Sequence, residues 1–192
     1  AHAKKAPITY CLDPENNWYP DLDDLYNRVK YNPNIVGILM INPDNPTGMV
    51  YPKSTMERIV EIAKEFNLFI ISDEIYHRVV YNGADCYKLS EVIGDVPGIA
   101  MKGISKEIPW PGSRCGWMEF YNRNVDSEFD RLCATLEDAK MIEVCSTTLP
   151  QLALPKIYSD ARFAKYREDI NESIGRRSKI ITSILKDLPQ LT

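Results

Sequence analysis

Apolar runs of strand length recur through the first two thirds of the chain. The segments 34–42, 68–72 and 98–103 contain few polar residues, a pattern typical of strands covered on both faces of a parallel sheet. Shorter apolar runs at 7–11 and 115–121 predict two further strands. The sheet-forming part of the chain is therefore predicted to end near residue 122.

Amphipathic helices are predicted between these strands. Residues 21–30 form a short one. A second begins at Ser54, where Glu57, three residues on, completes a capping box. The apolar face of this second helix comprises Ile59, Val60, Ile62, Ala63 and Phe66. Strand, helix and strand joined by short connections predict an α/β fold with a mainly parallel sheet.

The pattern changes to helices from about residue 125. Apolar residues then recur at helical spacing: Val125, Phe129, Leu132, Cys133, Leu136 and Ala139. A highly charged helix is predicted over roughly 161–187. The chain is therefore divided into an α/β part, residues 1–125, and a helical segment, residues 126–192.

Composition narrows the function classes. The net charge is −4, from 23 Lys and Arg against 27 Asp and Glu, and no basic block appears, so neither nucleic acid nor a membrane is an expected partner. The five cysteines are scattered without a CxxC pair, which indicates reduced thiols in a cytoplasmic protein. With His2 and His77 as the two histidines, a zinc site or a His-based triad is not expected.

Polar motifs follow three of the predicted strands. In an open parallel sheet, ligands bind beyond the carboxyl ends of the strands. The motifs there are "NPDNPTG" (42–48), "SDEIY" (72–76) and "ISKEIPWPGSR" (104–114). Each has an ordinary interpretation: a turn, a helix cap and a solvated lysine, respectively. Their succession at three strand ends favours a binding site.

The first two motifs can present hydrogen-bonding groups. The Asn-Pro steps keep Asn45 out of the helical region and present its amide rigidly. Asp73, at a buried strand end, needs a cationic partner. Tyr76 lies three residues on and points the same way if the backbone turns helically.

The third motif pairs an amine with a guanidinium. Lys106 is expected to be shielded from water and so to act as an amine nucleophile; the expected shielding residues are Pro109, Trp110, Pro111 and Trp117. Arg114 supplies a fork for a phosphate. A lysine for a carbonyl, a carboxylate for a ring nitrogen and an arginine for a phosphate together describe a site for pyridoxal phosphate.

The chain resembles the class I/II aminotransferases of the fold-type I pyridoxal-phosphate enzymes. The resemblance rests on "NPDNPTG", "SDEIY" and "SKEIPWPGSRCGW", in that order, and extends over residues 17–151. It implies a three-layer α/β/α sandwich, with residues 1–125 as part of the large cofactor-binding domain. Residues 126–192 would close that domain and lead to a small C-terminal domain. It also implies a homodimer acting on amino acids and 2-oxo acids.

The resemblance also implies roles for individual residues. Lys106 forms a Schiff base with the cofactor and moves the substrate proton, and Asp73 pairs with the pyridine nitrogen. Tyr76 and Asn45 hydrogen-bond the phenolic oxygen of the cofactor.

The phosphate would be bound by Arg114 with help from Ser105. Where the family often has Ser or Thr three residues before the lysine, this chain has Gly103. The family's chains are about twice as long, and the arginine that binds the substrate carboxylate is expected beyond residue 192. Two alternatives stay open: a carbon–sulfur β-lyase of the same superfamily, and a catalytically inactive truncated fragment.

Overall fold

A computed structural model describes residues 6–143 and 146–188 of the chain. Its strands are β1 (Leu12–Asp13), β2 (Tyr19–Pro20), β3 (Gly37–Ile41), β4 (Phe69–Asp73), β5 (Gly98–Gly103) and β6 (Gly116–Tyr121). Its α-helices are α1 (Leu22–Lys30), α2 (Lys53–Glu65), α3 (Ile104–Glu107), α4 (Ser127–Lys140), α5 (Thr148–Ser159) and α6 (Ala161–Leu185). Cys145 and His2 lie outside the described residues.

The central sheet has four strands in the order β3-β4-β5-β6. The pairs β3–β4 and β4–β5 are parallel, and β6 runs antiparallel to β5. The apolar runs identified in the sequence form these strands, and the prediction of a mainly parallel sheet is confirmed.

Helices α1 and α2 cover one face of this sheet. The core on this side joins Leu25 of α1 and Ile59 and Ile62 of α2 to Ile38 and Ile70 of the strands. Because neighbouring strand residues point to opposite faces, these two strand residues define the first face.

Helix α4 covers the opposite face. Phe129 and Cys133 are buried there with Ile99, and Phe69 and Ile71 pack against them. Phe129 and Phe69 are in contact, with ring centroids 5.5 Å apart. Helices on both faces give the predicted three-layer α/β/α sandwich.

Two local predictions are wrong. Residues 7–11 form no strand; β1 instead pairs with β2 in a two-stranded antiparallel ribbon, and the Tyr10 hydroxyl donates to the Leu39 carbonyl (3.1 Å) at the sheet edge. Helix α2 begins at Lys53 rather than at a Ser54 cap. The carbonyl of Pro52 accepts from Met56 N (3.2 Å) and starts the helix, which leaves Ser54 inside the first turn.

The C-terminal part is helical as predicted, with one helix more than its pattern indicated. Asp126 caps α4 and Asp160 caps α6, each accepting a backbone N–H two residues on at 2.9 Å. Between them, α5 contains Pro150 and Pro155, which conceal it in the sequence. Among the described residues, no helix has the length and apolar character that a membrane crossing requires.

Candidate active site

The carboxyl ends of β3, β4 and β5 lie side by side. Asp73 is in register with Ile41 on one side and with Met101 on the other. Backbone hydrogen bonds continue past the strands, from Asn42 N to Asp73 O (3.1 Å) and from Glu74 N to Met101 O (2.9 Å). The three sequence motifs therefore leave the sheet at one edge.

Asp73 and Tyr76 belong to the turn that follows β4. Strand alternation places the half-buried Asp73 on the same face as Ile71, the face that α4 covers. Its Oδ1 accepts from Ile75 N (3.0 Å), and its other oxygen accepts no hydrogen bond from residues 6–143 or 146–188. The chain turns at Tyr76, where the Tyr76 carbonyl accepts a hydrogen bond from Val79 N (2.8 Å).

Lys106 is the third residue of α3, directly after β5. Its Nζ lies 5.5 Å from the centroid of the Tyr76 ring, a cation–π distance that joins two of the predicted site residues. The expectation that Lys106 is shielded from water is wrong, because the side chain is exposed. Trp117, expected to cover it, lies in β6, where its indole Nε1 donates to Glu119 Oε1 (3.1 Å).

The other predicted residues make no side-chain hydrogen bond to this pair among the described residues. Asn45 and Arg114 are exposed and Ser105 is half-buried. Arg114 has φ 50° and donates from Nη1 to the Pro111 carbonyl (3.1 Å). Within the described part of the chain, Arg114 makes no ion pair, so its guanidinium is available to an anion.

Two buried residues that the sequence reasoning missed organise the 42–48 loop. Asn42 accepts from Tyr51 N (2.9 Å). Asp44 accepts from the Thr47 hydroxyl (2.6 Å) and from the Tyr51 hydroxyl (3.3 Å). Asn45, the residue singled out in the sequence, is the exposed tip that these two hold. The "NPDNPTG" motif was the sequence signal for this loop, but it did not show that Asn42 and Asp44 are the residues that order it.

A polar network, also missed, joins the last three strands on the first face of the sheet. Lys102 Nζ donates to Glu119 Oε2 (2.6 Å) and lies 3.5 Å from Glu74 Oε2, which accepts no hydrogen bond from the described residues. Glu74 Oε1 accepts from Leu89 N (2.6 Å).

Burial raises the pKa of Glu74, and the Leu89 N–H and Lys102 oppose that rise. Burial also raises the pKa of Glu119, but hydrogen bonds from Lys102, Tyr121 and Trp117 outweigh it and lower the value to about 2. Lys102 thus lowers the pKa of both carboxyl groups, and burial raises both. Burial prevails at Glu74, which is nearly inaccessible to water, whereas the hydrogen bonds prevail at the more exposed Glu119.

A second polar network, equally absent from the sequence reasoning, lies at the end of α3. Glu107 Oε2 is 3.2 Å from Arg78 Nε, and its Oε1 accepts a hydrogen bond from the Tyr158 hydroxyl. These residues are widely separated in sequence, and no local pattern identifies them.

His77 and Cys86 form a half-buried pair beside the Tyr76 turn, with Nδ1 3.3 Å from Sγ. Burial, followed by the positive charges of Lys88 and Arg78, lowers the pKa of His77 to about 4. Burial raises the pKa of the Cys86 thiol to about 12. Both groups are therefore neutral near neutral pH, and the described residues contain no cluster suited to a metal ion.

The family model for aminotransferases of class I and II matches residues 1–192, the whole chain. The chain belongs to this family. Membership implies pyridoxal phosphate as the cofactor.

Several aminotransferases are similar to the chain. An uncharacterized aminotransferase of Methanocaldococcus jannaschii is 55% identical over 188 residues, which cover 98% of this chain and 44% of that protein. The glutamate–pyruvate aminotransferase of Escherichia coli K12 is 42% identical over 111 residues, 58% of this chain and 27% of that protein. The structure of alanine aminotransferase from Pyrococcus furiosus superposes with a TM-score of 0.85 at 30% identity, covering 95% of this chain and 44% of that one. The chain thus spans less than half the length of these relatives.

The side chains at the strand ends fit the cofactor that this family implies. Asp73 offers a carboxylate oxygen with no other partner among the described residues, and Tyr76 offers a phenol. Lys106 offers an exposed amine beside that phenol ring, and Arg114 offers an exposed guanidinium. These side chains match the groups of pyridoxal phosphate in the order given: the carboxylate suits its ring nitrogen and the phenol its phenolic oxygen. The amine suits its aldehyde and the guanidinium its phosphate.

Proposed function

We propose that the chain is the central part of a pyridoxal-phosphate-dependent aminotransferase, which moves an amino group from an amino acid to a 2-oxo acid. The observation that carries this proposal is the contact of the Lys106 amine with the Tyr76 ring at the edge where β4 ends in Asp73. Amine, phenol and carboxylate come from two adjacent strand ends in a chain of this family.

Each residue then has a role that its chemistry supports. When bound, pyridoxal phosphate supplies an aldehyde that reacts with amines and a ring that withdraws electrons from the attached carbon. Lys106 would hold the cofactor through its amine and carry the proton to and from the substrate α-carbon. Asp73 would pair with the ring nitrogen, and Tyr76 and Asn45 would donate to the phenolic oxygen. Arg114, with Ser105, would bind the phosphate.

The proposal includes the setting of the enzyme. Residues 1–125 would be part of the large cofactor-binding domain, and residues 126–192 would close it and lead to a small C-terminal domain. We propose a cytoplasmic homodimer. The relatives named glutamate–pyruvate and alanine aminotransferase make alanine, glutamate and their 2-oxo acids the first substrates to test.

The test uses two proteins: this chain, and a chimera in which it replaces the matching segment of the M. jannaschii relative. Each is incubated with pyridoxal phosphate, reduced with borohydride and digested, and the labelled lysine is identified by mass. We expect the label on Lys106 and its loss in Lys106→Ala. Lys64→Ala is the matched control, because Lys64 is an exposed lysine of α2 that is paired with Asp95. In this variant Lys106 should be labelled as in the wild type.

Turnover is measured in the chimera with alanine and 2-oxoglutarate. We expect pyruvate and glutamate in equal amounts, and none from Lys106→Ala. Absence of label at Lys106 in both proteins would overturn the proposal. Pyruvate released from cystathionine without a 2-oxo acid would replace it with a β-lyase.

A further inference from the structure

The helix that carries Lys106 is too short to be stable by itself. Helix α3 comprises four residues, Ile104–Glu107, whereas isolated helices below about 12 residues are marginal in water. Ile104 is fully buried and secures the first turn. Lys106 is exposed and gives the helix no anchor. Glu107, the residue that follows the lysine, offers a second anchor.

Glu107 has the contacts that such an anchor requires. Its side chain is 9% exposed and lies 3.2 Å from Arg78 Nε. It also accepts a hydrogen bond from the Tyr158 hydroxyl. Burial, and then the bond to Glu107, raise the pKa of Tyr158 well above its usual range, so the hydroxyl keeps its proton and remains a donor.

The two partners of Glu107 are themselves held in place. The guanidinium of Arg78 lies 5.1 Å from the centroid of the Tyr158 ring, and the Arg78 carbonyl accepts from Asn171 Nδ2 (3.0 Å) on α6. The Tyr158 ring packs edge-on against Phe163, with centroids 5.4 Å apart. Glu107 is thus tied to the β4 turn, to α5 and, through both partners, to α6.

The Glu107–Arg78 ion pair joins the same two segments as the contact between Lys106 and Tyr76. Arg78 follows Tyr76 by two residues, and Glu107 follows Lys106 by one. One link is an ion pair between the largely buried Glu107 carboxylate and a partly exposed guanidinium, and the other is the approach of an exposed amine to a ring 5.5 Å away. The ion pair therefore connects the segment that carries Lys106 to the segment that carries Tyr76.

We propose that Glu107 is a positioning residue for Lys106: bound to Arg78 and Tyr158, it fixes the end of α3 and holds the lysine backbone against the Tyr76 turn. The inference rests on the role proposed for Lys106 and adds that α5 and α6 act on the site through Tyr158. Displacements of about 1 Å at a reacting group cost up to about a hundred-fold in rate.

The first measurement needs no cofactor. Hydrogen exchange of the Ile108 amide, which donates to the Ile104 carbonyl (3.3 Å), reports directly on α3. We expect Glu107→Ala to accelerate this exchange about ten-fold or more and Tyr158→Phe to accelerate it less. Glu107→Gln keeps an oxygen acceptor and should restore most of the protection. Unchanged exchange in Glu107→Ala would overturn the inference whatever the cofactor does.

The second measurement follows the rate at which Lys106 is labelled by pyridoxal phosphate and borohydride. We expect Glu107→Ala to slow labelling about ten- to hundred-fold, and Glu107→Gln to stay within a few-fold of wild type. Leu132→Ala, in α4, is the control for general destabilisation and should lower Tm while leaving the labelling rate unchanged.

Labelling in the wild-type chain separates the two proposals. If wild type labels Lys106 and Glu107→Ala labels at the same rate, the positioning role fails and the proposed function stands. If wild type labels no lysine, in the chain or in the chimera, the proposed function fails and takes this role with it.

Discussion

Replacing Lys102 by methionine removes the cation that Glu74 and Glu119 share, and leaves a buried carboxylate without a counter-charge. The Glu74 side chain is 1% exposed, so water cannot take the place of the ammonium. Methionine fills nearly the volume of the lysine stem, and the effect is therefore electrostatic rather than a cavity. Lys102→Met therefore measures how much one positive charge contributes to the free energy of unfolding through its contacts with Glu74 and Glu119.

The magnitude follows from the two contacts. Removing one partner of a buried ion pair costs about 3–5 kcal/mol, and the 3.5 Å separation of Lys102 and Glu74 places this pair at the lower end. The contact with Glu119 is partly exposed and adds at most about 1 kcal/mol. We expect the free energy of unfolding to fall by about 3 kcal/mol, which lowers Tm by roughly 6–12 °C in a chain of this size.

The loss is expected to depend on pH. Burial already raises the pKa of Glu74, and losing Lys102 raises it further. A carboxyl group whose pKa is higher in the folded state destabilises the fold above that pKa, and the penalty disappears as pH falls below the unfolded value of 4.5. The deficit of Lys102→Met should therefore be larger at about pH 8 than at about pH 4.

Thermal and urea unfolding, followed by circular dichroism at both pH values, measures this deficit. The double variant Glu74→Gln/Lys102→Met is the control, because glutamine still accepts from Leu89 N and carries no charge. It should recover at least half of the lost stability and show little pH dependence. A deficit below about 1 kcal/mol at about pH 8, or one equal at both pH values, would refute the reasoning.

Two further predictions concern the core and the β4 turn. Phe129 is 2% exposed and packs against Phe69, so Phe129→Ala should lower the free energy of unfolding, measured by urea titration, by about 3–5 kcal/mol. Val125 is 65% exposed, and Val125→Ala should change this free energy by less than about 0.5 kcal/mol. Equal effects of the two variants would contradict the packing of α4. His77 should titrate by NMR with a midpoint of about 4. Because its folded pKa lies below the unfolded 6.5, stability present above 6.5 should be lost as pH falls towards 4, and His77→Gln should remove that part of the acid sensitivity; a midpoint near 6.5 would show that the ring is not buried.

The sheet and the location of the site could be predicted because their signals are local. Each central strand is a continuous apolar run, and each polar motif begins where a run ends. Parallel pairing then brings the three motifs to one edge without any knowledge of side-chain contacts. Asp73, Tyr76 and Lys106 were predicted as site residues on this basis, and the structure places them at this edge.

What could not be predicted depends on partners far along the chain. Glu107 and Tyr158 are 51 positions apart, and Lys102 and Glu119 are 17 apart. The exposure of Lys106 has a different origin: Trp117 donates a hydrogen bond to Glu119, two residues further along β6, rather than covering the amine. Helix α5 was missed for a different reason, namely that two prolines interrupt an otherwise helical sequence.

The end of β4 presents two consecutive carboxyl groups to opposite sides of the sheet. Asp73 lies on the face that α4 covers, and Glu74 faces Lys102 and the first core. Inserting or deleting a single residue between Phe69 and Asp73 would exchange them, sending the Asp73 carboxylate into the first core and the Glu74 carboxylate to the face that α4 covers. The length of β4 is therefore under a stricter constraint than its composition. Many apolar residues could replace Ile70 or Ile71, but a strand longer or shorter by one residue would disrupt both the strand-end site and the core.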